Sequence, residues 1–242
     1  MYKIRNVSIK FAIIILLVVF IISSYFIIKD YFSYKENEES NNELIEDVIE
    51  VNSETKETSI DWNYLKSINN DIIGWIEIED SKINYPILQD NNNLFYLKHS
   101  YNKKYSSSGS IFTTTKNPFI SEETTIYGHN MKNGSMFSML DKYMDRDFLC
   151  SHLKIKIYTP TTNYEGTIFS VYSIGIETEN HNIKQLDFNE RIKYYQEASK
   201  YTLDIMDNVS NIVKLSTCSY INSKTRPTDQ RYYIIASIIP IE

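Results

Sequence analysis

Cysteine is the residue type with the most evident chemistry in this chain, and it occurs twice, at Cys150 and Cys218. Cys218 ends the run IVKLSTC and precedes a polar loop, so its thiol is expected at a strand end rather than in mid-core. A thiol becomes a nucleophile where a neighbouring base or cation stabilises its thiolate. Cys150, in DFLCSHLKI, is interpreted as a small apolar residue entering a strand. Two alternatives stay open: a nucleophile at Cys218, or a Cys150–Cys218 disulfide or inert thiol pair.

His129 is the best candidate for a base beside that thiol. It follows TTIYG, so an apolar strand ends at Gly128 and the imidazole begins a loop. A glycine at this point allows a close approach of the backbone. The remaining histidines lie in polar or acidic stretches; they are His99, His152 and His181. Histidine is the usual general acid or base in enzymes, and its position singles out His129.

Arg231 is the candidate for stabilising a developing oxyanion. It opens the run RYYIIAS, directly after the loop that follows Cys218. If these two runs pair as antiparallel neighbours, the residue that ends the first lies beside the residue that opens the second. The pattern therefore predicts the guanidinium next to the sulfur. Arg226 is the rival, but it precedes Pro227 within the loop and has no strand to hold it.

A metal site is not favoured by the residue spacing. Cys150, His152, Cys218 and His129 could be grouped as zinc ligands, but the chain has no C-x₂-C or H-x₃-H pair. It also has no P-loop, GxGxxG or GxSxG motif. The sequence therefore gives no support to nucleotide binding at such loops or to metal catalysis.

The elements that must position these residues are mostly strands. Eight short runs rich in β-branched or aromatic residues are bounded by turn residues, which is typical of a closed barrel or a sandwich. They are GWIEIED, INYPILQ, SGSIFTT, TTIYG, LKIKIYT, GTIFSVYSIG, NIVKLSTC and RYYIIASIIPI.

Helices are predicted at three places among these strands. One covers 61–69 with Asp61 as its N-cap, and a second covers 135–143. The third covers 189–204, where Asp187 and Glu190 form a D-x-x-E cap. This last helix is inserted before the strand that ends in Cys218.

A single membrane anchor is predicted from Phe11 to Ile28, a run of 18 residues without a charge. As a helix it would be about 27 Å long, near the hydrocarbon thickness of a bilayer. A cleaved signal peptide is the alternative, but the run exceeds a typical signal core and no A-x-A-like site follows it. Three bases precede the run, so residues 1–10 are expected in the cytoplasm and the chain beyond about residue 30 on the extracellular face.

The net charge of −6 is concentrated in the next segment. Residues 35–61 hold ten acids against two bases, whereas residues 62–242 hold 20 acids and 19 bases. The acidic stretch has one weak apolar patch at Leu44, Ile45, Val48 and Ile49, and residues 29–61 are predicted to be a solvated extracellular spacer. The near-neutral remainder shows no basic stripe, which argues against a nucleic-acid partner.

With these elements in order, the chain resembles the sortases, and among them class B. The resemblance rests on YGHN at 127–130, on LSTC at 215–218, which matches an L-x-T-C signature, and on Arg231 at the start of the final strand. Class B is suggested by the helices near the domain start, by GHNMKNGSMFSML and by the helix before the cysteine strand. The resemblance covers residues 62–242 and implies a closed eight-stranded barrel as the catalytic domain.

The resemblance also implies a transpeptidase of Gram-positive bacteria that needs no metal or organic cofactor. Cys218 would attack a threonine carbonyl in the C-terminal sorting motif of a secreted protein, and His129 would serve as general acid and then base. Arg231 would stabilise the oxyanion. An amine of a cell-wall peptide or a pilin lysine would resolve the thioacyl enzyme. The residues expected to bind substrate are Ser216, Thr217 and Asn130.

Other functions stay open on the sequence alone. A membrane-anchored cysteine peptidase would hydrolyse the same intermediate, and a non-catalytic β-barrel binding module would carry the disulfide instead. A sortase of another class, such as a pilin-polymerising enzyme, often has a lid or a second membrane segment.

Overall fold

A closed barrel of eight strands forms the centre of the molecule, which confirms the predicted fold class. The computed structural model describes residues 2–52, 58–91, 94–219 and 228–241, with the backbone alone for 2–8. The described strands are β1 (Ile49–Val51), β2 (Thr58–Ile60), β3 (Ile72–Glu77), β4 (Asn84–Leu88), β5 (Ile111–Thr113), β6 (Glu123–Tyr127), β7 (Lys154–Tyr158), β8 (Asn163–Gly175), β9 (Ile212–Cys218) and β10 (Gln230–Ile241). Around the barrel the order is β10-β8-β7-β3-β4-β5-β6-β9, and β9 closes it against β10.

The described residues also form five helices and two 3₁₀ turns. They are α1 (Tyr2–Val48), α2 (Trp62–Ile68), α3 (Arg146–Ser151), α4 (Ile176–Ile183) and α5 (Phe188–Ala198), with 3₁₀ turns at Phe95–Leu97 and Ser138–Met144. β1 and β2 form a separate two-stranded ladder that the sequence did not predict.

Strand alternation decides which side chains face the barrel interior. On β9, Val213 and Leu215 join the central core with Ile234 of β10, whereas Ile212 packs with Tyr195 of α5 on the outside. Successive side chains of a strand point to opposite faces, so Lys214, Ser216 and Cys218 share the outer face. The cysteine strand therefore turns the thiol of Cys218 away from the core.

The N-terminal helix is one continuous element. It runs from Tyr2 to Val48, so the predicted anchor continues without a break into the predicted spacer. Within the described residues it is the one helix long and apolar enough to cross a membrane, with a mean hydropathy of 3.0 in its most apolar window. The 18 residues of that window are 0% buried, as expected for side chains that face lipid.

The spacer differs from its prediction because part of it packs on the barrel. Asn37, Asn41, Leu44 and Val48 are all buried, and the two apolar residues join a cluster that contains Trp75 of β3. Burying an aliphatic side chain stabilises such packing by about 1.5–3 kcal/mol. Residues 35–48 are therefore a docked helix rather than a solvated linker.

The helices after the anchor agree with the sequence in type more than in length. The Asp61 side chain accepts from the Tyr64 N–H at the start of α2. At α5, Asp187 and Glu190 form the predicted reciprocal capping box. α5 ends at Ala198, short of the predicted 204, because the next residues pair with β8: Lys200 N–H donates to the Val171 carbonyl at 2.8 Å.

Three segments took shapes that the sequence did not predict. α4 occupies 176–183, where the sequence showed the end of a strand and an acidic stretch. The segment predicted as a helix over 135–143 is a 3₁₀ turn displaced to Ser138–Met144. Cys150 lies in the short helix α3 rather than at the entry to a strand.

A buried ion cluster joins α4 and α5 to the barrel. Lys214 Nζ of β9 lies 2.9 Å from Glu179 Oε1 of α4 and 3.6 Å from Glu123 Oε1 of β6. The Tyr172 hydroxyl donates to Glu179 Oε1 at 2.7 Å, and the Tyr195 hydroxyl donates to Glu123 Oε2 at 3.0 Å. Both carboxylates are therefore hydrogen-bonded as well as paired, as charges in a low-dielectric interior require.

Burial raises the pKa of Tyr172 and of Tyr195 far above the ordinary value. The negative charge of Glu179 beside Tyr172, and of Glu123 beside Tyr195, raises each pKa further. Both phenols consequently stay protonated and remain hydrogen-bond donors to the carboxylates.

Replacement of Lys214 by Met should unfold the domain at markedly lower denaturant. The Glu179 carboxylate, 1% exposed, would lose its cation, and breaking a buried pair on one side costs about 3–5 kcal/mol. Chemical denaturation of the chain in detergent, followed by tryptophan fluorescence, measures the change.

Lys193→Met is the matched control. The Lys193–Glu197 pair spans 3.8 Å with both side chains more than two-thirds exposed, so its loss should cost less than about 1 kcal/mol. Equal destabilisation by the two variants would contradict a structural role for the buried cluster.

Candidate active site

Strands β6 and β9 end, and β10 begins, at one edge of the barrel. Cys218 lies there at the end of the middle strand, β9. β9 pairs in parallel with β6, where Tyr127 is opposite Ser216, and antiparallel with β10, where Arg231 is opposite Cys218. His129 lies two residues beyond Tyr127, and Cys218 two residues beyond Ser216. The parallel register therefore brings His129 level with the thiol on one side, while Arg231 lies on the other.

The thiol opens toward the outer face of the barrel. Cys218 is partly exposed, whereas the two residues before it, Ser216 and Thr217, are buried. Both cysteines are free thiols, and Cys150 is exposed on α3. The disulfide left open by the sequence is therefore not formed in this structure.

Backbone carbonyls hold the Arg231 guanidinium in place. Its Nη1 donates to the Thr228 carbonyl at 3.1 Å and to the Gln230 carbonyl at 2.9 Å. A planar fork fixed in this way presents directed donors, unlike a flexible ammonium. The predicted neighbourhood of Arg231 and Cys218 is observed, and the rival Arg226 lies outside the described residues.

His129 is oriented by a loop that the sequence analysis did not consider. Its Nε2 is 2.8 Å from the carbonyl oxygen of Leu97, in the 3₁₀ turn after β4. A carbonyl can only accept, so Nε2 carries the proton in this arrangement and Nδ1 is the lone-pair site of the neutral ring.

Gly128 is required by the close packing behind His129. A Cβ at this position would lie 2.5 Å from Ile111 Cδ1 and 2.7 Å from the Phe137 ring. Atoms cannot approach that closely, so only glycine lets the strand end pass here. The close backbone approach predicted for Gly128 is thus a contact with Ile111 of β5 and with Phe137, which ends the 129–137 loop.

Asn130 ties the histidine loop to the cysteine strand. Its Nδ2 donates to the Cys218 carbonyl at 2.8 Å. The sequence analysis expected Asn130 to bind substrate, and in this structure its amide contacts the backbone of the cysteine itself.

An open cavity of about 440 Å³ lies over this edge, and we call it the first cavity. Its walls combine apolar side chains with the strand ends: Leu94, Leu97, Phe112, Tyr127, Ile176, His129, Ser216, Thr217, Cys218 and Arg231 are among them. The Thr217 hydroxyl is buried and makes no hydrogen bond to the described residues. A groove of this shape suits an extended peptide laid across the thiol.

A second cavity of about 630 Å³ shares Cys218 and His129 with the first. Its other walls combine the side chains of Tyr34 and Met131 with four polar residues: Ser107, Asn130, Lys132 and Asn133. Tyr34 was not predicted as a site residue because it lies nearly 100 positions before the loop that it approaches.

The remaining histidines belong to other parts of the fold. His99 stacks on Phe95 with ring centroids 3.9 Å apart, and His152 stacks on Phe148 at 4.0 Å. His181 is exposed on α4. Within the described residues, no group of three or more His, Cys, Asp or Glu side chains could hold a metal ion.

Sequence comparison relates this chain to known proteins. The Sortase domain family model matches residues 76–239. Sortase B of Listeria monocytogenes is 40% identical over 176 residues, covering 69% of this chain and 70% of that protein. Sortase B of Staphylococcus aureus is 31% identical over 186 residues, covering 73% and 74%.

Solved structures agree with the sequence relatives. Sortase B from Bacillus anthracis in complex with AAEK1 has a TM-score of 0.68 and 30% identity, covering 87% of this chain and 100% of that one. A Staphylococcus aureus sortase B–substrate complex has a TM-score of 0.66 and 27% identity, covering 75% and 85%. The family model spans most of the chain and two Sortase B proteins align over most of their length, so this chain belongs to the sortase family, in class B, and is a cysteine transpeptidase.

Proposed function

We propose that the chain cleaves a C-terminal sorting motif of secreted proteins after threonine and transfers the new acyl group to a cell-wall amine. The observation that carries this proposal is the register that brings Cys218 between His129 and Arg231 at the edge of an open groove. Sortases act on sorting-motif substrates, and the identity of the motif and of the amine is part of the proposal.

Cys218 is the nucleophile in this scheme. The thiol proton passes to His129 as the sulfur adds to the threonine carbonyl, and the carbonyl π electrons move to oxygen. His129 then protonates the leaving amine as the carbon–nitrogen bond breaks, which leaves a thioacyl enzyme. An incoming amine reverses the steps, with His129 now taking the proton.

Arg231 stabilises the oxyanion that forms on the substrate carbonyl. The two carbonyls that accept from Nη1 hold the guanidinium in one plane beside Cys218. Donors fixed before the reaction lose nothing to reorganisation when charge develops. This geometry favours a permanent cation with directed N–H groups over a lysine.

The first cavity binds the acyl donor. Its apolar walls, Leu97, Phe112 and Ile176, suit the side chains of a short extended motif. Ser216 and Thr217 line the cavity beside the thiol and are the proposed substrate-binding residues. Asn130 contributes by holding the Cys218 backbone from the other side.

The proposed location is the outer face of the plasma membrane, with residues 11–28 spanning it and the N-terminus in the cytoplasm. The apolar helix and the bases that precede it support this orientation. Tethering donor and enzyme at one surface raises the effective concentration at which they meet.

Cys218→Ala should abolish cleavage of every peptide in a pentapeptide library that the wild type cleaves, because no thioacyl enzyme can form. Product analysis by liquid chromatography, with and without triglycine as amine, measures both cleavage and transfer. Cys150→Ala, at the exposed cysteine of α3, should keep wild-type rates. Full cleavage by the Cys218 variant would refute the mechanism.

Arg231→Ala should lower kcat by about 10²–10³, the usual loss for one oxyanion donor. Arg226→Ala is the comparison and should change kcat far less. Steady-state kinetics on the best library peptide decide between them, and the opposite ranking would move the oxyanion role to Arg226.

Gly128→Ala should lower kcat on the order of a hundredfold, since a small displacement of a catalytic group has that effect. The added Cβ collides with Ile111 and Phe137 and pushes the end of β6 that carries His129. Gly166→Ala is the control, because its Cβ would meet nothing closer than 3.3 Å. Thermal unfolding of both variants is followed alongside, and a wild-type kcat in Gly128→Ala would contradict the positioning argument.

A further inference from the structure

One face of the anchor helix is buried at regular intervals. Asn37, Asn41, Leu44 and Val48 are buried and Tyr34 is partly buried, whereas Tyr31 is 63% exposed. Positions spaced alternately by three and four residues lie on one side of a helix. Tyr34 therefore continues the same contact face toward the membrane-proximal end.

This face follows the loop that carries His129. Ser40 Oγ is 2.8 Å from the Tyr101 hydroxyl. Asn37 and Asn41 line a crevice with Ser135 and Met136 of the loop. One turn before Asn37, Tyr34 reaches the second cavity, which Cys218 and His129 also line.

The two cavities differ in the chemistry of their walls. The first is lined by several large apolar side chains, and the second by Ser107, Asn133 and other polar groups together with Tyr34. The Ser107 hydroxyl is buried and makes no hydrogen bond to the described residues. A buried polar atom of this kind is stabilised when a ligand supplies its partner.

Transfer needs two substrates at one thiol. Under the proposed function, on which this inference rests, the acyl donor occupies the first cavity. We propose that the second cavity binds the amine acceptor, a primary amine on a short polar peptide, and that Tyr34 of the anchor helix forms its wall. The anchor helix is then part of the acceptor site as well as a tether.

The acceptor reacts there in a balanced step. The amine nitrogen adds to the thioacyl carbon, the carbon–sulfur bond breaks and an amide bond forms. The sulfur leaves with the bonding electron pair as a thiolate, and the proton lost by the amine goes to His129. His129 then passes a proton to the thiolate, so no further reactant is needed and the enzyme returns to its starting state.

Tyr34→Ala should raise the KM for triglycine on the order of tenfold, as expected for loss of one well-packed contact residue. The KM for the best library peptide should move far less. Both constants are measured with the full-length chain in detergent, by chromatography of the transfer and hydrolysis products. Ser107→Ala, on another wall of the same cavity, should shift the triglycine KM in the same direction.

Tyr31→Ala is the matched control and should keep both constants, since Tyr31 is 63% exposed and does not line the cavity. An unchanged triglycine KM in both Tyr34→Ala and Ser107→Ala overturns the assignment, as does an increase confined to the donor peptide. Cleavage of the donor by the wild type without triglycine is measured in the same series. Donor cleavage without triglycine tests the proposed function independently of the acceptor site.

Discussion

The register of β6, β9 and β10 is the constraint on which the site depends. β9 pairs in parallel on one side and antiparallel on the other, so one strand end meets a second strand end and a strand start. Residues 129, 218 and 231 thereby become neighbours although long stretches of chain separate the first two. A slip of β9 by one residue would turn Cys218 into the barrel and Thr217 outward, so closure of the barrel protects the chemistry as well as the fold.

The outer face of β9 also links the thiol to α4. Lys214, Ser216 and Cys218 alternate along one face, with the ion cluster at one end and the nucleophile at the other. α4 carries Glu179 in that cluster and Ile176 in the wall of the first cavity. The buried ion pair and the tyrosine hydroxyl groups make directional hydrogen bonds. They therefore constrain the position of α4 more tightly than an apolar contact would.

The strands and the juxtaposition of Cys218 with Arg231 could be predicted because β-branched runs, turn residues and adjacency along the chain are local signals. The choice of a closed barrel over a sandwich depended on the resemblance to the sortases. The sequence also located the caps of α2 and α5, which depend on residues three positions apart. The docked part of the anchor helix was missed because Asn37 and Asn41 are polar, and composition gave no sign of their burial. The Leu97 carbonyl on His129 and the place of Tyr34 depend on long-range packing, which no local pattern encodes.

The unbroken anchor helix has a consequence for the reach of the enzyme. From Ile28 to Tyr34 the helix rises by about 9 Å, at about 1.5 Å for each residue. With residues 11–28 in the membrane as proposed, a continuous helix instead of a flexible linker holds the thiol at a fixed height close to the lipid headgroups. For a substrate anchored in the same membrane, the segment between the bilayer and the scissile bond must then span the height of the sulfur, and an extended chain covers about 3.3 Å for each residue. The helix would thus restrict cleavage to bonds at a set distance from the bilayer.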